Sequence, residues 1–171
     1  EETPGTGSQS RLNRSANLRN IPMHDSTKQE LEKGLQMLGL PHTAGQLASL
    51  VQYMKLLEKW NRSYNLVAAS DNSSMVSRHL LDSLAIQPFL VGGSIVDVGS
   101  GAGLPGIPLA ILNPHKEFVL VDSNGKKTRF LFQVKTTLKM DNISVENCRI
   151  EHYQSHRQID MVICRAFSSL A

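Results

Sequence analysis

The chain has 171 residues, 40% of them hydrophobic and 19% charged, with a formal net charge of +3. That balance belongs to a globular protein large enough to bury a core and excludes a disordered or fibrous chain. The mild basicity permits an RNA partner without demanding one, and no apolar run approaches the roughly 20 residues that span a bilayer.

Residues 1–22 are rich in Gly, Ser, Asn and Arg and carry no hydrophobic period, so they read as a disordered extension or leader. Arg11, Arg14 and Arg19 within it can touch RNA or simply be solvated. Residues 23–92 read as an N-terminal helical cap. Ser26 with Gln29, and Thr43 with Gln46, have capping-box spacing. Gly39 and then Pro41 close the first helix. In the second, Leu47, Leu50, Val51, Met54 and Leu57 recur on one face, with Trp60 and Tyr64 beyond them. A third helix is predicted from Ser73 to about Gln87, with Met75, Val76, Leu80 and Leu84 inward and Pro88 as its stop.

From residue 93 to 171 the pattern changes. Short apolar strands are predicted at 95–98, 118–121, 143–145 and 161–163. Helical stretches at 105–112 and 126–140, and a turn near 151–155, separate them. This alternation predicts βαβ units and a parallel sheet of the α/β class, covered on both faces. Cys148 and Cys164 form no disulfide framework and no Cys-x-x-Cys metal pair, so reduced thiols in a cytoplasmic protein without a metal are expected.

The strongest motif is Asp97-Val98-Gly99-Ser100-Gly101-Ala102-Gly103, set between a strand and a helix. Glycines there let the backbone turn sharply and approach a nucleotide closely. Gly101, Gly103 and Gly106 match G-x-G-x-x-G, and Asp122 ends the next strand as a ribose-binding acid would. An NAD-dependent oxidoreductase is therefore one reading. Two features oppose it. Asp97 favours the cationic end of S-adenosylmethionine over a pyrophosphate. Pro105 and Pro108 remove N–H donors that a pyrophosphate would use. Asp122 can instead cap the following helix. Ile150 and Glu151 lie where an adenine would sit. Arg165 ends the fourth strand over the same pocket and can grip a phosphate, a guanine or the cofactor, with Phe167 beside it as a base-stacking or core ring. His79 and Asp82, three apart, share a helix face as an acid/base pair or as an ordinary surface pair. Lys126, Lys127 and Arg129 form a small basic cluster that can meet RNA phosphates or be solvated.

Over about Leu31 to Ala171 the chain resembles the RsmG family, also called glucose-inhibited division protein B. The carriers are Trp60-Asn61-Arg62-Ser63-Tyr64-Asn65-Leu66, Arg78-His79-Leu80-Leu81-Asp82-Ser83, the run DVGSGAGLPGIP from Asp97 to Pro108, Asp122 to Lys127, and Cys164-Arg165-Ala166-Phe167. The resemblance implies a class I, Rossmann-like methyltransferase that uses S-adenosylmethionine to methylate N7 of a guanine in 16S small-subunit ribosomal RNA. It implies that Gly99, Leu104, Ile150, Glu151 and Arg165 contact the cofactor; Asp97, Gly101, Gly103 and Asp122 join them from the motif itself. Guanine N7 has a free lone pair, so alignment rather than a base is expected to carry the reaction. Arg165, Asn65, His79 and Asp82 are the candidates to orient the base, with no catalytic residue certain. The partner expected is ribosomal RNA or a ribosomal particle, with no membrane and a monomeric enzyme. The family's sheet has further strands, so a chain ending at Ala171 is read as truncated after its fourth strand. A small-molecule methyltransferase and an inactive RNA-binding fragment stand as rival functions beside the NAD-dependent oxidoreductase.

Overall fold

The computed structural model describes residues 23–67 and 73–165, with side chains over 26–67 and 78–165. The arginines of the first 22 residues, Met75, Val76 and Phe167 lie outside the described side chains. Three helices come first: α1 (Met23–Met37), α2 (Ala44–Tyr64) and α3 (Ser73–Leu84). The Thr43 box forms as its spacing predicts. Thr43 Oγ1 accepts the Gln46 N–H at 3.1 Å, and Gln46 Oε1 accepts the Thr43 N–H at 2.8 Å. Ser26 differs: the helix already runs from Met23, so Ser26 lies inside the first turn rather than in front of it. Gly39 adopts φ +65°, the left-handed geometry that ends α1.

On α2, Leu47, Leu50, Met54 and Leu57 are buried, and Val51 is partly so. Tyr53 is buried on the same side, which the aliphatic stripe did not announce. The third helix stops at Leu84, earlier than predicted. Pro88 sits within a 3-10 turn, Gln87–Phe89, rather than just after a helix. Proline is tolerated there because first-turn N–H groups lack intrahelical partners.

The rest alternates strand and helix: β1 (Ser94–Val98), α4 (Gly106–Leu112), β2 (Glu117–Val121), α5 (Gly125–Leu138), β3 (Ile143–Glu146), a 3-10 turn at Ile150–His152, and β4 (Met161–Cys164). The strands form one parallel sheet in the order β3-β2-β1-β4. The chain builds outward from β1 through β2 to β3 and then returns to the other flank of β1. The C-terminal end of β1 is thus a topological switch point, where open α/β sheets bind ligands.

One core joins the helical cap to a face of the sheet. Leu31, Leu50, Leu57 and Leu80 of the cap lie in the same cluster as Ile107, Leu120 and Phe130. Every residue of α4 is buried. On the opposite face Val96, Val98 and Val121 are covered by Cys148, Tyr153 and Ile159. Among the described residues no helix is long and apolar enough to cross a membrane.

Candidate functional site

The glycine turn grows out of β1 and is pinned from three sides. Gly99, Gly101 and Gly103 take φ of +67°, +57° and +87°, which L side chains rarely adopt. Gly99 and Ser100 N–H groups donate to the Val121 carbonyl at 2.8 and 3.1 Å, tying the turn to β2. The Asp122 carboxylate accepts the Gly101 N–H through Oδ2 at 2.8 Å and the Asn124 N–H through Oδ1 at 2.8 Å. From the cap, the buried Tyr53 hydroxyl donates to the Ala102 carbonyl at 2.8 Å. Burial pushes the Tyr53 phenol well above its ordinary pKa, with Asp97 adding to the rise and Arg165 opposing it. Tyr53 stays a neutral donor.

Asp97 stands beneath the turn and is fully buried. Its Oδ2 accepts the Gly106 N–H at 2.9 Å, while Oδ1 has no partner among the described residues. Desolvation raises its pKa from 3.8 to about 7; the Gly106 hydrogen bond opposes the rise and the Asp122 charge adds to it.

The first turn of α4 has no donor to spare. Gly106 gives its N–H to Asp97, Ile107 gives its own to the Gly103 carbonyl at 2.8 Å, and Leu109 donates to the Pro105 carbonyl at 3.3 Å. Pro105 and Pro108 have none. A pyrophosphate needs such donors, so the dinucleotide reading loses its cradle despite the matching glycines.

A cavity of about 370 Å³ opens where β1 and β2 end. Gly99, Asp122, Ile150 and Glu151 line it, together with Ser123 and Arg149. Asp97, Gly101, Gly103, Leu104 and Arg165 are not on its wall. Two of them belong to the support instead: Asp97 holds the start of α4, and Gly101 is bonded to Asp122. Asp122 is not the helix cap that it could have been. Asn124 caps α5, its Oδ1 accepting the Lys126 N–H at 2.9 Å.

Arg165, His79 and Asp82 come together. Arg165 follows β4 and bonds back to His79, with the Asp82 carboxylate at 3.9 Å from Nη2. Ser83 completes this group, a residue that helical spacing alone did not single out. Asn65 is elsewhere in role: it is the exposed C-cap of α2 with φ 48°. The Lys127 ammonium lies over the turn, 3.9 Å from where a Cβ on Gly101 would stand. Among the described residues no group of three His, Cys, Asp or Glu side chains could hold a metal ion.

The donor set fits an adenosine better than a phosphate. Each Asp122 oxygen accepts one N–H and retains a lone pair for a ribose hydroxyl. Ile150, at 36% exposure, offers an apolar surface to a base.

The solved structures carry a similar frame. A chain of coclaurine N-methyltransferase, bound to N-methylheliamine and SAH, superposes with a TM-score of 0.50 over 82% of this chain and 49% of that one, at 17% identity. The sheet order, the switch-point cavity and this likeness define a Rossmann-like α/β fold. A family model described as rRNA small subunit methyltransferase G matches residues 46–171. The chain belongs to that family. A protein named ribosomal RNA small subunit methyltransferase G from Nitrosococcus oceani is 54% identical over 140 residues, covering 82% of this chain and 65% of its own length. The protein of that name from Pseudomonas syringae pv. syringae is 53% identical over 142 residues, 83% of this chain and 66% of its own. The chain thus spans about two thirds of the length of these relatives.

Proposed function

We propose that the protein transfers a methyl group from S-adenosylmethionine to N7 of a guanine in small-subunit ribosomal RNA. One observation carries the reading: 54% identity over 140 residues to a protein named for that class of activity. The cofactor, when bound, supplies an electrophilic methyl group on a sulfonium. The chain supplies the alignment. Asp122 takes the ribose hydroxyls, and Ile150 and Glu151 flank the adenine in the cavity. Gly99, Gly101 and Gly103 let the backbone come close, with Leu104 beside them. Asp97, when ionised, gives the turn a negative charge that favours a cationic ligand. Arg165 orients the base or the cofactor from the neighbouring strand end. Guanine N7 needs no deprotonation, so a site without a dedicated base is sufficient. The protein is read as a cytoplasmic monomer acting on ribosomal RNA or a ribosomal particle.

Calorimetry on the intact protein separates the cofactors: S-adenosylmethionine should bind and NAD should not. A methyl-transfer assay on naked RNA and on small-subunit particles then tests the substrate. RNA affinity should fall steeply with salt, by a log–log slope of about 0.7 to 0.9 per phosphate neutralised. Binding that ignores salt would point to a small-molecule methyltransferase; binding of RNA without transfer would point to a non-catalytic piece.

A further inference from the structure

The guanidinium of Arg165 reaches back to α3 and is held there by two residues. Nη1 donates to the His79 carbonyl and to Ser83 Oγ, each at 3.0 Å. Nη2 bonds to Nδ1 of the His79 ring at 2.9 Å. Ser83 is buried, and its hydroxyl in turn donates to the His79 carbonyl at 2.7 Å. The group is therefore a closed network rather than one contact.

An arginine only donates. Nδ1 of His79 must therefore be the bare nitrogen, which leaves the imidazole neutral with its proton on Nε2. Three of the five guanidinium N–H groups are engaged on α3. Nε–H and the second N–H of Nη2 take no partner among the described residues. Asp82 is exposed and its carboxylate stands beyond hydrogen-bond distance, so it adds little. The sheet register decides where the remaining donors are. Val98 pairs with Cys164, so Gly99 and Arg165 leave adjacent strands side by side, which sets Arg165 next to the start of the glycine turn.

We propose that His79 and Ser83 are positioning residues that lock the Arg165 guanidinium in place and leave two of its donors for an acceptor atom of the ligand at the glycine turn. The latch orders a long flexible side chain in advance, so binding need not order it. Its use in methyl transfer rests on the reading of function above; its existence does not.

Two arms test it on the intact protein. In nitrogen-detected NMR, His79 Nδ1 should resonate as unprotonated and the Arg165 Nη signals should be separate because rotation is hindered. His79→Ala should merge those signals. His79→Asn, which sets an amide oxygen near the Nδ1 position, should keep them apart. A protonated Nδ1, or Arg165 signals unmoved by both His79→Ala and Ser83→Ala, overturns the latch. In the transfer assay on small-subunit particles, His79→Ala should lower kcat/KM about tenfold, chiefly by raising KM for the ligand that Arg165 meets. His79→Asn should recover most of that loss, with the unfolding midpoint unchanged in both. Adding His79→Ala to Arg165→Ala should cost nothing further, because one acts through the other. Losses that simply multiply overturn the positioning role. A wild-type protein that transfers no methyl group defeats the methyltransferase reading instead, and the NMR arm still decides the latch.

Discussion

Asp97 combines complete burial with a single hydrogen bond on one oxygen. Its carboxyl pKa of about 7 in the folded chain, against 3.8 ordinarily, makes stability depend on pH. Between those values the folded state keeps a proton that the unfolded chain has released. Stability is therefore greatest below about pH 4 for this group, falls as pH rises through 7, and then levels, a difference on the order of a few kcal/mol. Asp97→Asn cannot ionise and should lose this decline. Urea midpoints at pH 5 and pH 8 check it: the drop seen in the wild type should vanish in the variant, and an equal drop in both would show that another group causes it. A cationic ligand near the turn favours the ionised form, so the same residue that weakens the empty fold at neutral pH can reward a ligand of that charge. Asp122 is bonded differently: both of its oxygens are met by backbone N–H groups.

At the scale of elements, the β1–α4 unit is packed to its limit. A Cβ on Gly106 would stand 2.4 Å from Leu120 Cδ2 and 2.6 Å from Asp97 Oδ2, both in a buried layer. Gly106→Ala should therefore destabilise the protein by about 1–3 kcal/mol, the usual range for overpacking. It should also weaken cofactor binding by shifting the turn. A thermal-melt midpoint equal to that of the wild type would contradict this packing. Gly106 thus has a steric role that its place in G-x-G-x-x-G does not reveal. The motif spaces a close helix-to-strand contact, and the phosphate-binding chemistry usually associated with it is absent because prolines and internal acceptors have removed the donors.

Over the whole molecule, the cap and the sheet act as one body at the site. Tyr53 reaches from α2 to the Ala102 carbonyl, and Arg165 reaches from the end of β4 to α3. Trp60 of α2 packs on Phe130 of α5 with ring centroids 5.6 Å apart, which braces the same side. Tyr53→Phe keeps the ring but leaves a buried carbonyl without its donor, a loss of about 1–3 kcal/mol. The expected outcome is a lower unfolding midpoint together with weaker cofactor affinity by calorimetry. Loss of stability with affinity intact would mean that the cap merely shelters the turn.

Much of this protein was legible along the chain, because its signals are short-ranged. Caps act over three residues, as Thr43 and Gln46 do. Apolar period set the buried face of α2, and short apolar runs set the four strands. Glycines placed the turn, since few other residues take a positive φ. What tertiary structure alone decided lies between distant residues. The partners of Arg165 are 82 and 86 positions away, and the Tyr53–Ala102 bond spans 49. No local pattern encodes such pairs. They exist because the return of the chain to β1 sets β4 beside it, and a shared core presses the cap onto the sheet. The same folding turned Asp97 beneath the turn with one oxygen unbonded among the described residues, while Asp122 reached the cavity wall with both oxygens bonded, two acids that looked alike as sequence and that distant partners set apart.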